Sequence, residues 1–215
     1  ATLSVAHASC ALNAAQYYLL ERRLLRDAER AARAVGFYHP RLTLDITPHQ
    51  QCWRAHLKVN AGAPMMIAEQ DIRIDGEAAD DTAFKQLLAG TQLHTGERLQ
   101  HQHYQQLRDE LNRLALSRGY FDAQMPIHEI RVQRALNQAT ILIHLQSGVR
   151  YRIGHIQLEQ SILDDDFARR YLRFQAGDLW DGARLLESQQ ALLGSGYFNT
   201  VQLQQPPLAA ADPSD

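Results

Sequence analysis

A glycine followed by two aromatic residues occurs three times in this chain: Gly36-Phe37-Tyr38, Gly119-Tyr120-Phe121 and Gly196-Tyr197-Phe198, 83 and 77 residues apart. Each copy follows a helix-like stretch and precedes an extended-looking run, with Pro40 two residues beyond the first. A glycine just past a helix can take the left-handed conformation that ends it without a Cβ clash. Two aromatics at the start of the next segment can fold back onto that helix. Taken singly, each copy reads as an ordinary helix cap with core aromatics. Three copies in matching context predict a repeated module whose period is that of a small domain rather than of a solenoid, which repeats every 20–50 residues or so.

The pattern between the corners supplies the rest of the module. Residues from about Leu12 to Val35 are rich in Ala, Leu, Glu and Arg and predict a helix. Leu42, Leu44 and Ile46, then Ala55, Leu57 and Val59, alternate with polar residues and predict a hairpin over 41–60, turning at Pro48-His-Gln-Gln. Ile72 and Ile74 mark a strand. Asp80 or Asp81 is placed to cap a short helix through Leu88. Tyr104, Leu107, Leu111 and Leu114 form one buried stripe of a helix running from about Gln100 to Arg118. An extended run to about Val132 follows, then a strand with Ile141, Ile143 and Leu145 on one face. The order is strand, helix, helix, strand, strand.

A third copy begins at His155-Ile-Gln-Leu-Glu, which echoes Asp71-Ile-Arg-Ile-Asp. Asp164 and Phe167 echo Asp81 and Phe84, and Ala176-Gly-Asp echoes Thr95-Gly-Glu. A helix around 185–193 and a strand through Val201 and Leu203 are expected after it. The fold class is therefore α+β: tandem modules, each a small three-stranded sheet with two helices on one face. The expected division is 1–63, a first module incomplete at its N-terminus; 64–148, a complete second; 149–205, a third without its last strand; and 206–215, a linker or truncated end. Such a chain reads as a piece of something longer.

Composition excludes several function classes. The formal net charge is −2, which gives no electrostatic footprint for nucleic acid. No run of 18 apolar residues is present. Cys10 and Cys52 are the two cysteines; they can pair in an oxidising compartment, although nothing in their spacing demands it. Residues 1–8, ending in an Ala-His-Ala pattern, read either as the tail of a secretory signal peptide or as a short strand or disordered end. Enzyme motifs are absent: there is no Gly-x-Ser-x-Gly, no His-Glu-x-x-His and no phosphate-cradling glycine loop. A metal-dependent enzyme using His94, His101 and His103 is the rival from outside the binding modules. On a helix, however, residues two apart point about 200° apart, so His101 and His103 diverge. Asp164, Asp165 and Asp166 stand at a helix start, where capping explains them. No catalytic residue, metal ligand or cofactor is expected.

The module order, the Gly-Tyr-Phe corner and the Gly148-Val-Arg-Tyr-Arg-Ile-Gly-His-Ile run that opens the next unit resemble the POTRA domains of outer-membrane assembly factors. Among these the chain most resembles the TamA branch. Ala34-Val-Gly-Phe-Tyr-His-Pro, Leu116-Ser-Arg-Gly-Tyr-Phe-Asp and Leu193-Gly-Ser-Gly-Tyr-Phe-Asn-Thr-Val are similar to the corners of that branch's three modules. The family's first strand and helix are not matched, and its C-terminal β-barrel is absent from the sequence. The resemblance implies a periplasmic scaffold attached to an outer-membrane barrel in a Gram-negative bacterium. It implies as partners a TamB-like inner-membrane-anchored protein, unfolded outer-membrane proteins or autotransporters, and the barrel itself. The POTRA region of a BamA-type or two-partner-secretion transporter, and a passive spacer, are the alternatives.

Physically, a small sheet with an open edge can add a strand from another chain through unpaired backbone groups. The expected docking edge is the strand after the second corner: Phe121, Asp122, Ala123, Gln124, Met125 and Ile127. Pro126, which has no N–H to give, either marks that edge or protects it from pairing.

Overall fold

The computed structural model describes residues 13–49 and 52–204. Its first part is one long helix and a hairpin. Helix α1 spans Ala14–Ala34 and opens with a capping box, in which Asn13 and Gln16 each accept the other's backbone N–H at 2.9 and 3.0 Å. Strands β1 (Arg41–His49) and β2 (Cys52–Asn60) pair antiparallel. Their register places Leu42 opposite Val59, Leu44 opposite Leu57 and Ile46 opposite Ala55, so the alternating apolar residues share one face. Pro48 and His49, expected in the turn, instead continue β1, opposite Trp53 and Cys52. Proline is tolerated there because β1 has a partner on one side only in this two-stranded sheet. The Tyr17 and Trp53 rings, 5.7 Å apart, join helix to hairpin. Cys52 is disulfide-bonded; the chain's other cysteine, Cys10, and residues 1–8 lie outside the described residues.

The second part has the full expected order. Strands β3 (Met66–Asp75), β4 (Gln124–Gln133) and β5 (Gln138–Gln146) form a sheet in the order β3-β5-β4, with β5 parallel to β3 and antiparallel to β4. The central strand is the most apolar: Ala139, Ile141, Ile143 and Leu145 are all at most 1% exposed. Helices α2 (Thr82–Ala89) and α3 (His101–Ser117) cover that face with Phe84, Tyr104, Leu107, Leu111 and Ala115. Asp81 caps α2 by accepting the Ala83 N–H at 3.0 Å. Ala115 takes the place expected of Leu114 in the fully buried stripe, and Leu114 packs at its margin.

Among its described residues the third part has helices but no regular sheet. Helix α4 (Asp165–Arg169) is capped by Asp164, as the sequence suggests for its acidic run, and α5 (Gly182–Gly194) by Asp181. The strands expected at 155–159 and at Val201–Leu203 do not form; a single bridge joins Arg152 to Leu179. The second part shows why. There, β3 and β4 each pair with β5 and not with each other, and among the described residues nothing in the third part corresponds to β5. A lone extended segment has no ladder to satisfy its backbone, so water does so instead.

This difference predicts a sharp contrast in amide hydrogen exchange. The β5 amides are expected to be the slowest in the chain, whereas 155–160 and 199–204 exchange orders of magnitude faster. Comparable protection in these two sets would contradict the pairing explanation.

Candidate functional site

The three corners share a backbone but not an environment. Gly36, Gly119 and Gly196 have φ of +88°, +84° and +76°, and each N–H closes on the carbonyl three residues back, at Arg33, Leu116 and Leu193. Gly36 and Gly119 are buried; Gly196 is exposed. A Cβ on Gly36 would lie 2.3 Å from the Leu99 carbonyl oxygen, and one on Gly119 would lie 2.4 Å from the Trp180 Cβ. A Cβ on Gly196 would meet nothing within 4 Å. The first two glycines thus carry a double requirement, a left-handed turn and a close approach.

That close approach belongs to a joint built twice. The Gly36 carbonyl accepts the Met65 N–H at 2.7 Å, and the Gly119 carbonyl accepts the Tyr151 N–H at 2.9 Å. The Met65 and Tyr151 carbonyls in turn accept the N–H of Leu99 and Trp180, at 2.8 and 2.9 Å. Two residues further on, Ile67 donates to the Glu97 carbonyl and accepts from Gly96, just as Ile153 donates to Asp178 and accepts from Gly177. Each corner is therefore zipped to the opening segment of the unit that follows it.

The side chains at the second joint are dense. The Phe121 ring packs between Tyr151 and Trp180, at 5.5 and 5.1 Å, and the Tyr151 hydroxyl donates to Asp122 at 2.8 Å. Beside them Arg118 donates to the Asp81 carboxylate at 2.6 Å and lies 3.8 Å from Asp181. Arg150 donates to the carbonyls of Arg118 and Trp180 and stands 3.9 Å from Asp81. The Asp81 side chain is only 5% exposed. Burial raises its pKa, but the bonds from Arg118, the Ala83 N–H and the Tyr120 hydroxyl outweigh that and hold it below the usual carboxylate value. The first joint is lighter: Arg98 lies over the Phe37 ring at 5.5 Å, and the Tyr38 hydroxyl meets His101 Nε2 at 2.6 Å.

Comparison with known proteins agrees with this repeated architecture. Residues 1–61 match the family model for POTRA domain TamA domain 1. Residues 151–214 match a second POTRA family model, described as surface antigen variable number repeat. Together these matches take in more than half of the chain. The chain is built of POTRA domains. The crystal structure of POTRA domains 3–5 of Haemophilus influenzae BamA is 17% identical, covers 94% of this chain and 78% of its own, and superposes with a TM-score of 0.50. The N-terminal domain of Omp85 from Thermosynechococcus elongatus is 16% identical over 93% of this chain and 87% of its own, with a TM-score of 0.34.

Within the POTRA units the expected docking residues divide into two groups. Phe121 and Asp122 belong to the second joint rather than to an edge. Ala123 precedes β4 and donates its N–H to the Tyr120 carbonyl, so it too serves the corner. Gln124 opens β4, and the register slips between Gln124 and Ile127; Met125 and Pro126 lie in that irregularity. The β4–β5 pairing is regular only from Ile127 to Gln133. The strand is an edge, as expected, but its regular part begins where the expected stretch ends. The first aromatic of the second corner is the core ring: Tyr120 is 2% exposed and meets Phe84 edge-on at 5.7 Å. Its third-corner counterpart, Tyr197, is half exposed; Phe198 and Pro40 are half-buried.

Among the described residues no three His, Cys, Asp or Glu side chains converge on a metal-binding geometry; His101 instead faces Tyr38. No helix among them is long and apolar enough to cross a membrane. Of the joint residues, Arg150 and Tyr151 lie in the run that the sequence reading singles out as opening the third unit, although their contacts were not foreseen, and Leu99 and Trp180 escape that reading. A signal for the latter two was present: Leu99 and Trp180 stand three residues after the matched glycines Gly96 and Gly177.

The corners yield a matched pair of tests. Gly196→Ala incurs only the left-handed backbone cost, about 1–2 kcal/mol. Gly119→Ala adds an overlap with Trp180 and should destabilise clearly more in urea melts. Equal losses would mean that the close approach to Trp180 is unimportant. Acid provides another test of the second joint. The Asp81 contribution is present above the ordinary carboxylate pKa of 3.8 and is lost as pH falls from there through its lowered folded value. An Asp81→Asn variant should show a flatter stability profile over that acid range.

Proposed function

We propose that this chain is the periplasmic POTRA region of a TamA-type outer-membrane assembly factor. In this reading it is a non-catalytic scaffold, divided near residues 63–64 and 148–149, that presents a sheet edge to an extended partner strand. The observation that carries the reading is the position of β4. It is an outer strand of the β3-β5-β4 sheet, regular over seven paired residues from Ile127 to Gln133, and the unit that bears it is fixed to its successor through the corner just upstream. Unpaired N–H and C=O groups on such an edge recognise backbone rather than sequence. That suits partners whose common property is an alternating strand, as in unfolded outer-membrane barrels, autotransporters or the C-terminal segment of a TamB-like protein. The chain's own β-barrel is the further partner in the full-length protein. Bonded Cys52 favours an oxidising compartment.

A second reading has its own support. Pro126 and the register slip beside it blunt the start of β4, and Glu129 and Arg131 place charges along it, all devices that discourage edge pairing. Under this reading the units are a spacer that holds a barrel away from its partner.

Photo-crosslinking separates the two. A photoreactive residue at Arg131 or Gln133, both exposed in β4, is expected to capture a TamB-like C-terminal segment or a barrel-strand peptide. The same group at Glu110 on the outer side of α3 should not. Capture at neither β4 position, with both ligands tried at saturating concentration, would support the spacer and overturn the docking edge.

A further inference from the structure

The two joints share a backbone pattern but differ in the chemistry that closes them. The second is held by arginine–aspartate pairs and three packed rings, with no histidine among the described residues that form it. Across the first, a half-buried histidine meets a tyrosine: the Tyr38 hydroxyl lies 2.6 Å from His101 Nε2. In the neutral tautomer that carries its proton on Nδ1, Nε2 is the acceptor of the hydroxyl proton. The ring sits in the first turn of α3, whose N-cap Gln100 makes no side-chain capping bond, so it lies at the positive end of the helix.

The charged neighbours are mostly cationic. From α1 comes Arg33, paired with Glu29. From the loop before α3 comes Arg98, whose guanidinium lies over Phe37. From the turn after β4 comes Arg134, whose carbonyl meets the His39 ring at 3.2 Å. Arg33 and Arg134 both act electrostatically on Tyr38. Glu97 engages the neighbouring backbone through its carbonyl and its side chain is exposed; His103 follows on α3 itself.

We propose that the first joint is an acid-loosened hinge: docked while His101 is neutral, released when the ring takes up a proton, with the second joint remaining closed. Protonation puts a hydrogen on Nε2, so the acceptor of the Tyr38 hydroxyl proton is lost. It also adds a positive charge at a helix N-terminus, in a joint whose Tyr38 and Phe37 already have Arg33, Arg134 and Arg98 as cationic neighbours. Burial lowers the His101 pKa from 6.5 in the docked state. Undocking therefore takes up a proton. Docking is at full strength above pH 6.5 and weakens as pH falls from there towards the lowered docked value. The second joint depends on Asp81, whose carboxylate keeps its charge down to below pH 3.8. A mildly acidic window thus exists in which the first joint opens and the second does not.

The test is a pair of distance distributions from spin labels at exposed positions Arg26, Glu110 and Gln190, measured by pulsed dipolar spectroscopy at pH 7.5 and pH 5.0. The Arg26–Glu110 distribution is expected to be narrow at pH 7.5, to broaden reversibly at pH 5.0, and to stay narrow at both in His101→Gln, whose side-chain oxygen accepts the Tyr38 hydroxyl but does not titrate. The Glu110–Gln190 distribution is expected to be unchanged throughout. Wild-type protein that stays narrow at pH 5.0, broadening that persists in His101→Gln, or simultaneous broadening of both pairs would each overturn the proposal. Tyr38→Phe gives an independent arm: lacking the hydroxyl, it should already be broad at pH 7.5, and a narrow distribution would count against the Tyr38–His101 bond as the latch.

Discussion

A single methyl group on Gly119 would overlap the Trp180 side chain, and one on Gly36 would overlap the Leu99 carbonyl. The geometry of the chain follows from that closeness. Because a glycine hydrogen is all that separates them, the helix end of one unit lies directly against the opening segment of the next, near enough for its carbonyl to accept a backbone N–H. The zipper that follows fixes the direction in which the next unit starts. No long linker intervenes: four residues separate Gly119 from β4, and the pairing residue Tyr151 comes five residues after β5 ends. A joint of this kind orients its neighbours rather than tethering them.

The ion cluster at the second joint adds to this constraint. Asp81 caps α2, anchors the Tyr120 hydroxyl inside the same unit and receives Arg118, while Arg150 reaches from the following segment to the same carboxylate and to two carbonyls. A buried pair is weak evidence of net stability, since desolvation offsets much of the attraction. Its value lies in geometry. Removing the Asp81 carboxylate takes the shared partner from Arg118 and Arg150 together, and breaking a buried pair costs about 3–5 kcal/mol, so alternative packings of this joint are disfavoured. The first joint has no such cluster. Its Tyr38–His101 contact titrates in a milder pH range, which makes the two joints unequal in strength and in response.

Elements whose stability is local were legible in the sequence. The α1 helix, the β1–β2 hairpin, the Asp81 and Asp164 caps and the glycine corners all follow from periodicity and from residue chemistry within a few positions. The core of the complete unit was legible too, because Ile141, Ile143 and Leu145 alternate on a strand buried on that face. What failed needed distant partners. The strands at 155–159 and at Val201 and Leu203 have the right pattern, but among the described residues no central strand pairs with them. The start of the outer strand was placed a few residues early because Phe121 and Asp122 look like the start of a strand, whereas their contacts lie across the joint at Tyr151 and Trp180. His101, weighed first as a metal ligand, bonds a tyrosine 63 residues away, a separation that no local pattern reveals.

The corner at Gly119 holds the second and third units in one orientation. Residual dipolar couplings of backbone amides in weakly aligned protein report that orientation. A single alignment tensor should fit the amides of β3, β5 and α3 together with those of α5, at neutral pH. Two tensors of clearly different magnitude or orientation for the two sets would show that the units reorient independently, and that the closeness at Gly119 does not fix their geometry.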